Sequence, residues 1–159
     1  MIGGERLLAI GVLGAALAGL GISAYLSAVH ATHAPLVCSV RGPVDCERVL
    51  TSAYAQILGT AIPTSAAGII WFGVSGVLAL LQVRLSRARA ALLAGLAWSV
   101  AGLLTALFLV YVEIVQLGAL CAWCSAAHVL VLLTLLFTLA RLERLPRAQP
   151  EPHGMPQQP

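Results

Sequence analysis

The sequence predicts an all-α membrane protein, a bundle of four transmembrane helices with an extracytoplasmic loop that carries a short amphipathic helix. Composition, charge and hydropathy predict this class: 60% of the 159 residues are hydrophobic, 9% are charged, and the mean hydropathy is +0.95. Soluble domains carry about 25% charged residues, so a chain this apolar needs the lipid bilayer to cover its surface. We expect no nucleic-acid partner, because the formal charge of +3 comes from arginines that report membrane orientation.

Four apolar stretches are long enough to cross a bilayer, at residues 7–29, 62–83, 90–112 and 120–140. A crossing takes roughly 20 apolar residues, because an α-helix rises about 1.5 Å per residue. The first stretch is expected to be a retained span, since its apolar run of about 23 residues exceeds the roughly 7–15 of a signal peptide. Residues 1–145 are thus predicted to form one membrane domain. The proline-rich remainder, 146–159, is predicted to be a disordered cytoplasmic tail.

The arginines predict the orientation of the bundle. All nine basic residues are arginine, and with four crossings only two of them, Arg41 and Arg48, fall on the side away from the chain termini. Positively charged loops stay on the cytoplasmic side of a membrane. Both termini are therefore predicted to be cytoplasmic, and the loop 30–61 extracytoplasmic, in a multi-pass protein of the inner (plasma) membrane.

The loop 30–61 is predicted to contain the amphipathic helix. Asp45 is the predicted N-cap, and Glu47 follows in the first turn, where the helix dipole favours acidic side chains. Apolar residues then recur at helical spacing: Val49, Leu50, Ala53, Tyr54, Ile57 and Leu58. Such a helix would rest on the membrane surface and press Cys46 toward Cys121 at the mouth of the bundle. An interfacial anchor without that role is the alternative.

The four cysteines share one compartment under this topology. Cys38 and Cys46 lie in the loop, and Cys121 and Cys124 open the fourth span on the same side. Disulfides persist there, and of three possible pairings the simplest joins Cys38 to Cys46 and Cys121 to Cys124. A bridge between Cys121 and Cys124 closes a very small ring and adds little stability, whereas a helix N-terminus favours the thiolate. The pattern therefore favours a working redox pair over two structural staples.

Metal handling is the main alternative function, because His30, His33 and His128 accompany the cysteines and such a set binds zinc or copper. The spacing argues against it, since a zinc ribbon would show two Cys-X-X-Cys knuckles and this chain has one. A metal transporter would also carry polar or ionisable residues along its spans. We therefore expect no metal. A third hypothesis is a purely structural membrane protein. Such a protein would tolerate loss of Cys121 or Cys124.

Taken together, these residues resemble the vitamin K epoxide reductase family and its bacterial homologues that oxidise thiols for disulfide formation. The resemblance covers residues 7–142. It rests on Cys38 and Cys46 separated by seven residues, Ser52 six residues after Cys46, PTSAAG at 63–68, and Cys121-Ala-Trp-Cys124. The other four-helix thiol oxidase family has its Cys-X-X-Cys before its partner pair, so the order of the pairs argues against it.

The resemblance implies a thiol:quinone oxidoreductase in which all four cysteines are catalytic. Cys124 would contact a membrane quinone, ubiquinone or menaquinone, and Cys121 would resolve it. Cys46 would exchange with Cys121, and Cys38 would meet a thioredoxin-like partner. We expect that partner to be a separate extracytoplasmic protein, because nothing outside the spans exceeds the 32-residue loop.

The resemblance also implies which side chains hold the quinone. Where the animal branch places Asn and Tyr, this chain carries Thr64 and His128, both able to donate hydrogen bonds. Ser52, at a serine position of the family, is a third candidate, although a locally bonded serine and a packed histidine are the structural alternatives. These substitutions favour a respiratory quinone over vitamin K epoxide. Glu113 is interpreted mainly as a marker of the membrane boundary, with proton relay as the alternative. Trp123 could stack on the quinone ring, although aromatic residues in spans usually pack or anchor at interfaces.

Overall fold

The computed structural model describes residues 2–38, 42–57, 60–84 and 89–144. This part of the chain forms five α-helices and no β-strand, which confirms the all-α prediction. The helices are α1 (Ile2–Thr32), α2 (Cys46–Leu50), α3 (Thr64–Arg84), α4 (Arg89–Tyr111) and α5 (Ala122–Glu143). The tail predicted at 146–159 lies outside the described residues.

Four of the helices are long and apolar enough to cross a bilayer, as predicted. The candidate spans are Arg6–Thr32, Thr64–Gln82, Arg89–Leu117 and Ala122–Glu143. The third extends beyond the predicted 112 because α4 continues as a π-helical turn, Val112–Leu117. The fourth begins after the predicted 120 because Cys121 has an extended backbone and serves as the N-cap of α5.

The four long helices pack in a ring, in which α1 and α4 each lie against both α3 and α5. Phe72, Ala106 and Val131 meet at its centre, one from each of α3, α4 and α5. Large apolar side chains also point outward, more than half exposed: Leu7, Ile70, Leu104, Phe108 and Val129. Helices that are apolar on all faces are those of a membrane span, because lipid rather than water covers the outer face.

The helix in the loop is shorter than the sequence predicts. Asp45 caps α2 as expected, its carboxylate accepting a hydrogen bond from the Arg48 amide at 3.0 Å. The helix nevertheless ends at Leu50, and a separate 3₁₀ turn follows at Ala53–Ala55. Between them, the backbone of Ser52 is extended and its hydroxyl donates to the Val49 carbonyl at 2.8 Å. A serine hydroxyl that competes for helix carbonyls breaks the continuous amphipathic run, whose last residue, Leu58, lies outside the described residues.

A buried polar cluster holds the helices together at the end of the bundle away from the cysteines. The amide nitrogen of Gln82 on α3 donates to the Ala91 carbonyl on α4 at 3.0 Å. The Arg141 guanidinium on α5 donates to the amide oxygen of the same glutamine. Both side chains are buried, and the bonds supply the partners that buried polar groups require. This cluster holds one end of α3, α4 and α5 together. The cysteines lie toward the opposite end of the bundle.

Candidate active site

A cavity of about 360 Å³ opens between the helices at the cysteine end of the bundle. Its walls are mainly apolar and aromatic, from all four long helices and from the loop. The polar and reactive residues on its walls include Ser23, His30, Ser52, Thr64, Glu113, Cys124 and His128. Ligand pockets of roughly 300–1,000 Å³, mostly apolar with a few polar groups, are typical of small-molecule sites. The cavity therefore suits a small, flat, largely apolar ligand.

Two tryptophans fix one wall of this cavity. The Trp71 indole nitrogen on α3 donates to the Trp98 carbonyl on α4 at 3.4 Å, and the Trp98 indole donates back to the Trp71 carbonyl at 3.2 Å. Because each indole N–H already has a partner, both residues contribute aromatic surface to the cavity wall without a free donor. Gly102 lies against the Trp71 ring, where a Cβ atom would overlap it. The shape of this wall thus depends on the absence of a side chain at Gly102.

Cys121 and Cys124 lie at the start of α5, at the edge of the cavity. The Cys121 sulfur accepts hydrogen bonds from the Cys124 amide at 3.2 Å and from the Cys124 thiol at 2.6 Å. Only Cys124 lines the cavity, whereas Cys121 is 0% exposed. The bond from the Cys124 thiol is the main influence that lowers the pKa of Cys121 below its usual range, with burial opposing it. Hydrogen bonding at the start of α5 therefore makes the Cys121 thiol easier to ionise, and Cys124 is the sulfur that faces the cavity.

The second pair, Cys38 and Cys46, forms a disulfide with its Cα atoms 6.2 Å apart. Cys46 is the first residue of α2 and is 0% exposed, and Cys38 is half-buried. This pairing is the one the sequence favoured. A thiol outside the bundle would therefore meet the Cys38 sulfur before the Cys46 sulfur.

Backbone pairing joins the two cysteine pairs. The Asp45 amide donates to the Leu120 carbonyl at 3.0 Å, and the Leu120 amide donates to the Pro43 carbonyl at 2.8 Å. Asp45 precedes Cys46 in the chain, and Leu120 precedes Cys121. This short parallel bridge sets the fully buried Cys46 and Cys121 on neighbouring segments.

The segment before Cys38 is attached to the bundle through Val37. The Trp123 indole donates to the Val37 carbonyl at 2.9 Å, and the Val37 amide donates to the Tyr25 hydroxyl at 3.3 Å. The Tyr25 and Trp123 rings pack with centroids 5.1 Å apart. Trp123 therefore positions the loop beside the Cys-X-X-Cys pair, a role that the sequence did not indicate. The Val37 side chain itself is 78% exposed.

The three residues predicted to hold a quinone, Ser52, Thr64 and His128, all line the cavity. They differ in whether their polar atoms already have a hydrogen-bond partner. The Thr64 hydroxyl donates to the Tyr54 carbonyl at 3.0 Å, and the Ser52 hydroxyl donates to Val49. A hydroxyl has one proton to donate, so both donors are already used within the protein. His128 is different, since its Nδ1 atom is buried and has no hydrogen-bond partner among the described residues. Buried polar atoms are normally paired, which makes His128 the side chain best suited to a ligand.

Glu113 is the residue of the site that the sequence analysis underrated. Its side chain is only 4% exposed, lies in the π-helical turn after α4, and lines the cavity. One carboxylate oxygen accepts a hydrogen bond from the Cys121 amide at 3.0 Å. An ionisable residue within a span was the available signal, because such residues are costly and usually functional. The carboxylate points inward to the segment that carries the cysteines.

A metal site would require several ligating side chains grouped in space. Among the described residues, no group of three or more His, Cys, Asp or Glu side chains is placed to hold one metal ion. Metal handling therefore gains no support from the described part of the chain.

A multi-pass bundle with a loop disulfide and a Cys-X-X-Cys pair beside an apolar cavity has the features of a membrane oxidoreductase that acts on thiols. The chain belongs to the vitamin K epoxide reductase family, whose family model matches residues 10–139. The match covers most of the sequence and includes all four cysteines. A comparison with curated proteins finds no significant match.

Proposed function

We propose that this protein is a thiol:quinone oxidoreductase that supports disulfide formation outside the cytoplasm. In this proposal, a thioredoxin-like partner delivers its electrons to Cys38 and Cys46. The electrons then pass to Cys121 and Cys124, and finally to a membrane quinone. The observation that carries the proposal is the position of Cys124, which faces an apolar cavity within the membrane spans while its neighbour Cys121 adjoins the loop disulfide.

The cavity fits a quinone head group. A quinone supplies a flat acceptor for two electrons and two protons, with two carbonyl oxygens that accept hydrogen bonds. The apolar and aromatic walls would hold the ring, and the unpaired His128 nitrogen is the donor we assign to one oxygen. Thr64 and Ser52 remain candidates only if their hydroxyls give up their present backbone acceptors. Ubiquinone and menaquinone both have the required head group.

The electron relay uses two disulfide exchanges. A partner thiolate attacks Cys38, Cys46 leaves, and the second partner thiol then releases the oxidised partner. Cys46 next attacks Cys121 of an inner disulfide, Cys124 leaves, and Cys38 attacks Cys46 to restore the outer bridge. The result is an outer disulfide beside two inner thiols, the arrangement that the free cysteines and the Cys38–Cys46 bridge have here.

The last exchange passes the electrons out of the protein. Cys124, the sulfur on the cavity wall, acts as the nucleophile toward the quinone, and Cys121 then attacks the Cys124 sulfur. One S–S bond forms, two electrons reduce the quinone, and the two thiol protons reach the two quinol oxygens. The lowered pKa of Cys121 suits it to this second attack.

The orientation of the protein follows from the arginine bias together with this chemistry. We propose that the termini lie in the cytoplasm and both cysteine pairs on the extracytoplasmic side of the plasma membrane. Disulfides persist in that compartment and quinones dwell in the bilayer. Residues 1–145 would form the catalytic membrane domain, with 146–159 as a tail outside it.

The proposal is tested by turnover of the purified protein in detergent, with a reduced dithiol and a short-chain ubiquinone or menaquinone. We expect one quinol to form for each disulfide, measured by quinone absorbance and by thiol titration. Protein alkylated under reducing conditions is the control and should be inactive. No turnover by the folded, unmodified protein would reject the oxidoreductase and direct attention to metal binding or a structural role.

The exchange between Cys46 and Cys121 can be trapped. The double variant Cys38→Ala/Cys124→Ala retains only Cys46 and Cys121, which lie on paired segments. We expect mild oxidation to join them in most molecules, detected by mass spectrometry of non-reduced peptides. The matched variant Cys46→Ala/Cys121→Ala retains Cys38 and Cys124 and should not bridge. Equal bridging in both variants, or none in the first, would contradict the relay.

Substitution of Gly102 should weaken quinone binding without touching the cysteines. In Gly102→Ala the new Cβ overlaps the Trp71 ring and forces it to move. Overpacking of this kind costs about 1–3 kcal/mol, and about 1.4 kcal/mol corresponds to tenfold in affinity. We therefore expect the KM for quinone to rise about tenfold with kcat little changed. The control is Gly73→Ala on α3, where no atom lies within 4 Å of the new Cβ.

A further inference from the structure

Glu113 has no part in the electron relay, yet it is the acidic side chain buried beside the inner cysteine pair. It is held in place from two directions. Its carbonyl accepts hydrogen bonds from the Gly118 and Ala119 amides, and its carboxylate accepts one from the Cys121 amide. Gly118 makes this possible because its φ of 60° lies in the left-handed region that glycine adopts readily. The π-helical turn that results is of a kind found often at functional sites.

The chemistry of the site requires a group that moves protons. Oxidation of Cys121 and Cys124 to a disulfide releases two protons, and reduction of a quinone consumes two. Most of the cavity wall is apolar and cannot carry protons between sulfur and oxygen. Glu113 lies on that wall, as Cys124 does, and is bonded to the residue that completes the disulfide. General acid–base groups act at hydrogen-bond distance from the proton they move or through one water.

The other ionisable groups near Glu113 come from α5 and α2. Cys121 and Cys124 at the start of α5 are the reacting thiols, and His128 lies one turn beyond Cys124. From α2, Cys46 is held in a disulfide, while Glu47 and Arg48 are exposed. The Glu113 carboxylate accepts a hydrogen bond from the Cys121 amide and lines the same cavity as Cys124, so a second negative charge beside it is unfavourable. A proton that moves from a thiol to Glu113 therefore keeps a single negative charge in the site instead of creating a second one.

We propose that Glu113 is the proton-transfer residue that couples oxidation of the Cys121–Cys124 pair to quinone reduction. This inference rests on the proposed function. The Glu113 carboxylate takes the Cys124 proton as that sulfur becomes the nucleophile, and gives it to one quinone oxygen as two electrons arrive. The same carboxylate then takes the proton that Cys121 releases when it attacks Cys124, and gives it to the other oxygen. Two protons and two electrons thus leave the dithiol and appear in the quinol.

Glu113→Gln is the decisive variant, because the amide oxygen keeps the bond from the Cys121 amide but the side chain cannot carry a proton. We expect quinone reduction at pH 7 to fall about 100-fold, within the range of general acid–base effects. The deficit should shrink as pH rises, because hydroxide replaces the missing base. Single-turnover oxidation of a dithiol by the pre-oxidised protein, without quinone, should stay within about twofold of wild type, since that step does not use the carboxylate.

Two further variants separate proton transfer from placement of Cys121. Glu113→Asp keeps the carboxyl group and should recover part of the rate lost in Glu113→Gln. Glu143→Gln makes the same change at an exposed position at the far end of α5 and should behave as wild type. Unchanged quinone reduction in Glu113→Gln, or an equal loss in the quinone-free exchange, would overturn the inference. Failure of wild type to reduce any quinone would instead reject the proposed function itself, so the two failures are distinct.

Discussion

Cys124→Ala is expected to abolish quinone reduction, lowering kcat at least about 1,000-fold, because loss of a nucleophile commonly costs that much or more. Cys124 is the cysteine on the cavity wall, and Cys121 is fully buried away from the ligand. No other sulfur is placed to replace it within the described part of the chain. The measurement is the absorbance of the quinone during turnover with a small dithiol.

Two controls test whether the loss of activity comes from the Cys124 sulfur itself. Ser125→Ala changes the neighbouring residue of α5, which is not among the cavity-lining residues, and should leave the rate near wild type. Thermal unfolding in detergent should be similar for both variants, because loss of one sulfur leaves the helix packing in place. Turnover by Cys124→Ala above about a tenth of the wild-type rate would show that the quinone does not react at this sulfur, whatever the electron donor.

Cys38→Ala is expected to separate protein thiols from small dithiols. Cys46 and Cys121 are 0% exposed, so a folded partner meets the half-buried Cys38 first. Without Cys38 the outer disulfide cannot form, and oxidation of a thioredoxin-like protein should fall at least about 100-fold in kcat/KM, the size of effect seen when a covalent relay loses a member. A dithiol small enough to reach the inner pair should retain a measurable part of its rate.

The test compares the rates that the protein thiol and the small dithiol support. Each is assayed with the same quinone, and Ala34→Ser, an exposed change in the same segment, is the control. An equal loss with protein and small dithiols would contradict the division of labour between the pairs while leaving the oxidoreductase in place. Full activity with the protein donor would remove Cys38 from the relay.

Composition and the order of the cysteines were enough to predict the class of this protein and its candidate reactive residues. A chain with 9% charged residues has too little polar surface to fold in water, so its composition predicted four helices that lie in lipid. Helix hydrogen bonds are local, which is why the spans were predicted to within a few residues. The order of the cysteines along the chain also sufficed to predict the loop disulfide and to suggest the family.

Other features depended on particular side-chain hydrogen bonds in the folded chain. The loop helix ends at Leu50 because the Ser52 side chain competes for a carbonyl, an effect that apolar periodicity does not reveal. Likewise, Thr64 and Ser52 were predicted as hydrogen-bond donors to a ligand, and only their actual acceptors show that both hydroxyls already donate within the protein.

The tertiary structure alone decided how the site is assembled. The pairing of Asp45 with Leu120 sets Cys46 beside the segment of Cys121, and the π-helical turn directs Glu113 inward instead of toward the membrane surface. These arrangements arise where helices end, and there backbone groups without a helical partner must find one elsewhere in the fold. Continuous apolar runs locate the four spans because they form the inside of each helix. The candidate site lies at the helix ends, where packing decides which groups become partners.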